Sequence, residues 1–173
     1  MFEGSNTLTR LLLAKIDEQV ARAEHLTSLV PADKTEWRPL PDALRVCDLL
    51  GHLLECLAGI CATLHAIHPN RLAHFESFRR LPVNHCCEIG EALMRMSDYL
   101  DLIIEGFAVT TDDQLSDALP TVFVSEGEPV LTLLLGNLEH LINHKYQLFF
   151  YLRLLGVPLG TADLYKLRGD GGD

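Results

Sequence analysis

The sequence predicts an all-α protein, an up-down four-helix bundle, on three observations. Four long stretches carry apolar residues at steps of three and four, the period of an amphipathic helix. Connections rich in Pro, Asp, Thr or Gly separate them. With 173 residues, 48% hydrophobic and 22% charged, the chain has the size and balance of one globular domain around one core.

The first stretch takes Ser5 or Asn6 as N-cap and runs to about Val30. Leu8, Leu12, Ile16, Ala23 and Leu26 form its apolar stripe, and Pro31 stops it. The second, residues 44–67, places Val46, Leu49, Leu50, Leu53, Leu57, Ile60 and Leu64 on one face and ends before Pro69-Asn70, with His52 at the border of that face. In the third, residues 86–107, Ile89, Leu93, Met96, Leu100 and Ile103 keep the period and Gly106 suits a C-cap. The fourth, residues 130–155, is the most apolar and is expected to be the central helix, with Gly156 and Pro158 as its stop. Between the last two, the long connection 108–129 holds a Thr121-Val122-Phe123-Val124 run before Ser125-Glu126-Gly127-Glu128, a pattern that suits a short hairpin. The bundle is thus expected over 1–160, followed by a C-terminal tail, 161–173, disordered towards its Gly-Asp-Gly-Gly-Asp end.

A net charge of −10, spread along the chain, repels phosphate backbones and anionic headgroups, so neither nucleic acid nor a membrane surface is expected as a partner. Polar residues interrupt every apolar run before the roughly 20 residues a membrane span needs. The first ten residues lack the basic and apolar pattern of a secretory signal, which leads to a cytoplasmic reading. The five cysteines, Cys47, Cys56, Cys61, Cys86 and Cys87, are odd in number and lack C-x-x-C spacing. That argues against a disulfide framework and a zinc ribbon, and fits a reducing compartment.

The chemistry-bearing pattern is in the fourth stretch. Residues four apart on a helix sit one above the other at about 6 Å, so His140 and His144 can turn their imidazoles to one ion. They belong to a seam of small and polar residues, Leu133, Gly136, His140, His144, Gln147 and Tyr151, on an otherwise leucine-rich helix. The seam reads as a metal or substrate cavity, as a surface-facing stripe, or as two hydrogen-bonded core histidines. His52, at the core edge of another long helix, can reach the same cavity. Three histidines would leave open positions on an ion, as a Lewis-acid site requires and a closed structural site does not.

Two metal classes are excluded by motif. Leu141 follows His140, where a zincin needs Glu, and no Glu-x-x-His marks the fourth helix as in di-iron bundles. His65 and His68 fall in the last turn of the second helix, where the helix dipole accounts for them. His85-Cys86-Cys87 are adjacent and point apart, so they chelate poorly together. Cys56, one turn beyond His52, is a thiol near the site or a small buried hydrophobe.

The stretches Glu36-Trp37-Arg38-Pro39, Val46-Cys47-Asp48-Leu49-Leu50-Gly51-His52-Leu53 and Glu139-His140-Leu141-Ile142-Asn143-His144-Lys145-Tyr146-Gln147-Leu148, with Tyr151-Leu152-Arg153-Leu154-Leu155-Gly156-Val157-Pro158, resemble the DinB-like/YfiT-like metalloenzyme superfamily in motif, order and separation. This is the damage-inducible DinB family and not the polymerase. The resemblance runs from the first helix to Pro158 and implies that His52, His140 and His144 hold one divalent ion, zinc or nickel or a similar metal. It also implies thiol-dependent transferase or isomerase chemistry with a low-molecular-weight thiol such as mycothiol, bacillithiol or a glutathione-like cofactor, a small-molecule substrate, and a homodimer. Arg45 stands where members often carry a Ser or Thr cap, and Tyr146 where Gly often precedes the Gln, a change expected to narrow the pocket.

Three functions remain open on the sequence: a metal-dependent transferase or hydrolase activating a thiol or water, a non-catalytic metal-binding or stress-response bundle, and a structural dimer. For the first, the candidate catalytic helpers are Glu55, three residues from His52, together with Gln147 and Tyr151, which are expected to orient a substrate held between the fourth helix and the 108–129 connection.

Overall fold

The computed structural model describes residues 6–121 and 124–165. Five α-helices follow in order: α1 (Thr7–Ser28), α2 (Val46–Ile67), α3 (Phe75–Arg79), α4 (Ile89–Val109) and α5 (Val130–Leu154). Short 3-10 turns lie at Ala32–Lys34, Asp113–Ser116 and Thr161–Leu164. The four long helices are those the periodicity predicts. The fifth, α3, is a single turn with one buried anchor, Phe75, too short to declare a period.

The four long helices form one bundle. α2 packs against α4 and α5, and α1 packs against the same two from the other side. Pairs of residues fix the sense of each helix. Along α2, Cys47 meets Cys87, Cys61 meets Tyr99 and Leu64 meets Gly106, so α2 and α4 run parallel. His52 and Gly59 of α2 meet His144 and Asn137 of α5, so those two run antiparallel. The sense is therefore up, down, down, up, and the simple alternation expected for the bundle does not hold. The cause is the 68–88 connection, which carries α3 back along the bundle before α4 starts.

The expected centre also moves. Of the 22 residues of α2, 14 are buried, against nine of the 25 in α5, so α2 is the central helix. Total apolar content misled here, because α5 spends part of it on an outward stripe, with Leu135, Tyr146, Phe150 and Leu154 exposed. Among the described residues α2 is the one helix long and apolar enough to cross a membrane, and 67% of its apolar window is buried inside the bundle. Each fully buried leucine, such as Leu53 or Leu57, contributes about 1.5–3 kcal/mol by leaving water.

The α1 start is capped from a distance. Asn6 makes no side-chain cap, and Ser5 lies outside the described residues. Instead the backbone amides of Leu8 and Thr9 donate to the Asp112 carboxylate at 2.9 and 2.8 Å, tying the 108–129 connection to the foot of α1. That connection does hold a hairpin, whose strands Ala118–Leu119 and Glu128–Pro129 flank the Thr121–Val124 run, of which Val122 and Phe123 lie outside the described residues. Beyond α5, Leu164 is buried and Asp163 meets His25 of α1 at 3.0 Å, so the start of the expected tail packs on the bundle. The disorder expected further on falls on residues 166–173, outside the described residues.

Candidate metal centre

His52 sits two turns into α2, and His140 and His144 lie on consecutive turns of α5, the helix that crosses it antiparallel. The three rings gather edge to face with centroids 4.2 to 4.8 Å apart. Their Nε2 atoms converge: His52 to His144 at 3.0 Å, and His140 to His52 at 3.1 Å. Helical spacing explains the α5 pair. The third member needs the α2–α5 crossing, which sequence patterning alone does not set. All three rings are partly buried.

The Nδ1 atoms decide what the Nε2 atoms are. His52 Nδ1 faces Asn84 Oδ1 at 2.5 Å and Glu55 Oε2 at 3.0 Å, both acceptors. His144 Nδ1 faces Gln147 Oε1 at 2.8 Å, and the Gln147 amide nitrogen in turn donates to the Tyr151 hydroxyl at 2.9 Å. Acceptors at Nδ1 place the proton there, so in the neutral rings both Nε2 atoms present lone pairs. Two lone pairs 3.0 Å apart repel unless a cation lies between them. Burial lowers the His144 pKa below its ordinary value, with the neighbouring His52 and His140 adding to the effect and Gln147 opposing it, so this imidazole stays neutral at pH 7. Three converging imidazoles, two of them backed at Nδ1 by carboxylate and amide oxygens, form a group that could hold a metal ion.

Every helper residue the sequence singles out is engaged with a histidine of the cluster or with another helper. Glu55, though 39% exposed, supports His52. Gln147 supports His144, and Tyr151 is buried behind Gln147 with its ring edge to face on Trp37 at 5.6 Å. These are positioning residues. Tyr146, expected to narrow the pocket, is exposed and packs on Phe149 and Phe150, because its position on α5 turns it away from the histidines. Arg45 replaces a hydroxyl cap by ion pairs: its guanidinium meets both Asp48 oxygens at 2.7 and 2.8 Å and Glu36 at 2.6 Å, while its backbone amide donates to Asp48. Hydrogen bonding from the Arg45 guanidinium holds the Asp48 carboxyl below its usual range, against the opposing effect of burial.

The wall of the site differs from the expected one. The 108–129 connection closes the end where α5 starts, and His140 lies ten residues up that helix, about 15 Å away. Segment 82–88 meets His52 through Asn84, and segment 35–45 backs the cluster indirectly, Trp37 packing on Tyr151 behind Gln147. Asn84 was missed by sequence reasoning. The one signal it carries is local, a left-handed backbone at φ 55°, which Asn tolerates better than other residues with a Cβ. The loop can lie on α2 because residue 51 is glycine; a Cβ there would run into the His85 carbonyl oxygen.

The same loop overturns the cysteine reading. Cys47 and Cys86 form a disulfide, with Cα atoms 4.5 Å apart, and Glu36 beside both sulfurs. Sequence separation of 39 residues hid it, since only the fold brings the start of α2 to that loop. His85 and Cys87 turn the other way, towards Glu91, so the three adjacent residues do not share one point, as expected. His65 and His68 close the far end of α2, away from the cluster.

No family model matches the sequence, and no curated protein matches it. Solved structures do. A DinB-like protein, YjoA, from Bacillus subtilis superposes with a TM-score of 0.66 at 15% identity, over 91% of this chain and 99% of that one. A conserved protein from Enterococcus faecalis gives a TM-score of 0.65 at 16% identity, over 86% of this chain and 98% of that one. At such identity the likeness speaks for the fold alone, and it runs nearly end to end: this chain is an all-α bundle with the fold of the DinB-like proteins.

Proposed function

We propose that His52, His140 and His144 bind one divalent cation, zinc or nickel by the family resemblance, and that the protein uses it to activate a thiol or water against a small-molecule substrate. The observation that carries this reading is the pair of Nε2 lone pairs of His52 and His144 turned to each other at 3.0 Å, each fixed by an acceptor at its Nδ1. A bound divalent ion with open positions supplies a Lewis acid that lowers the pKa of an entering thiol or water. The protein's part is positional. Asn84 and Glu55 hold the His52 ring, the Gln147–Tyr151–Trp37 stack holds that of His144, and burial keeps His144 unprotonated.

A second reading, a metal-binding bundle without turnover, is favoured by one observation: Glu55, Gln147 and Tyr151 are all engaged with the ligand histidines or with each other, which leaves none of them as a free general base. A thiol substrate would bypass that lack, since metal coordination alone can deprotonate it. The exposed Tyr146, Phe150 and Leu154, four residues apart along α5, support a homodimer through that face. The acidic charge supports the absence of nucleic-acid and membrane-surface partners. Metal-loaded protein and its His144→Ala variant, assayed with bacillithiol, mycothiol and glutathione against a monochlorobimane-type electrophile, separate the two readings. Acceleration by the native protein alone supports the enzyme; equal rates with every thiol leave the binding protein.

A further inference from the structure

Three of the five cysteines, Cys56, Cys61 and Cys87, are buried thiols, and burial pushes the thiols of Cys56 and Cys87 up to about 12. Chemistry at them is suppressed. Cys47 and Cys86 differ from these in being joined to each other, with one of the two at the surface. Cys86 is exposed, in the non-helical segment before α4. Cys47 is buried in the first turn of α2, so an incoming thiolate meets the bond from the Cys86 side. Both sulfurs lie near Glu36 Oε1, at 3.5 Å for Cys86 and 3.7 Å for Cys47, so each thiol has an acceptor once the bond between them is broken.

The bond also reaches the histidine cluster. Cys86 is two residues from Asn84, whose side chain holds His52 Nδ1. The segment is tied to α2 by two backbone bonds, Asn84 N to Gly51 O at 3.2 Å and Cys87 N to Cys47 O at 3.0 Å, and the Cys47–Cys86 bridge is its covalent tie to the same helix.

We propose that Cys47–Cys86 is a reversible thiol–disulfide exchange site for low-molecular-weight thiols, and that its oxidised form latches the loop that presents Asn84 to His52. In the reducing direction a thiolate attacks the exposed Cys86 sulfur, the Cys47–Cys86 bond breaks, and Cys47 leaves as thiolate. A mixed disulfide now joins Cys86 to the small thiol. A second thiolate attacks the sulfur of the small thiol, releases the oxidised small disulfide, and frees Cys86. Two electrons pass to the protein, and the two protons of the incoming thiols end on Cys47 and Cys86. Oxidation by a small disulfide is the reverse. The exchange stands on the cysteine geometry alone, whereas its effect on metal affinity rests on the reading of His52, His140 and His144 as a metal centre.

The test is a titration of the full-length protein across ratios of reduced to oxidised glutathione, quenched by alkylation in denaturant and read by mass spectrometry. One two-electron step is expected, from five alkylated cysteines to three, with a Cys47–Cys86 crosslinked peptide, and Cys86→Ser should lack it. Five alkylated cysteines at every ratio, or a different crosslink, overturns the site. Competition against a chromophoric chelator then measures zinc affinity in each state. The oxidised protein is expected to bind about tenfold more tightly than the reduced one, and Asn84→Ala to remove the difference. Equal affinities overturn the latch. A second equivalent of zinc taken up only by the reduced protein makes Glu36, Cys47 and Cys86 a metal site and overturns the exchange role. Absence of zinc binding in both states refutes the histidine centre, and the thiol titration still decides the exchange.

Discussion

His52 and His144 stand on facing helices with their Nε2 atoms 3.0 Å apart, and each is backed at Nδ1 by a side-chain amide oxygen, Asn84 on one side and Gln147 on the other. The symmetry is chemical only. Gln147 lies one turn from its histidine on the same helix, whereas Asn84 arrives from a loop 32 residues away in sequence.

The ligand assignment predicts a sharp contrast between histidines. Elemental analysis after zinc repletion should give one equivalent for the native protein and for His68→Ala, and none for His144→Ala or His52→Ala. His68 ends α2 far from the cluster, so a loss at His68 equal to that at His144 would locate the metal elsewhere.

The outer residues should tune the site without creating or abolishing it. Asn84→Ala and Gln147→Ala are each expected to weaken zinc binding by roughly 10–100-fold in chelator competition while keeping one equivalent at saturation. Unchanged affinity in both would mean that the rings are held by packing alone.

Lys145 makes a prediction about pH. It is buried, donates to Gln19 Oε1 at 2.6 Å, and burial, reinforced by the nearby Arg22, lowers its pKa from 10.5 to about 8. A base whose folded pKa is depressed costs stability wherever it is charged in both states, which is below pH 8. The unfolded chain holds more protons between about 8 and 10.5, so the cost is relieved as pH rises through that window. The stability advantage of Lys145→Met over the native protein should therefore shrink by roughly 2–3 kcal/mol from pH 7 to above 10, measured by urea unfolding. A pH-independent difference would show that Lys145 stays charged in the fold.

The outward face of α5 predicts the assembly. Sedimentation analysis should find a dimer for the native chain and a monomer for Phe150→Asp, with the helical circular dichroism signal retained. A native monomer at micromolar concentration would leave Tyr146, Phe150 and Leu154 simply as solvent-exposed side chains.

By itself the sequence determined four helices and the pairing of two histidines. A period of three and four is a local property, and the same period puts His140 and His144 on one face of α5, so both follow from spacing alone. Which helix lies at the centre, and in what sense each runs, was decided by how the faces share one core: total apolar content pointed to α5, while the burial of Leu49, Leu50, Leu53 and Leu57 on all sides made it α2. The remaining site residues are non-local for the same reason. His52 joins the cluster only through the α2–α5 crossing, although the family resemblance indicated it. Asn84 and the Cys47–Cys86 pair depend on a loop whose path is permitted by the missing side chain of Gly51 and fixed by backbone bonds to α2, contacts that no pattern along the chain encodes.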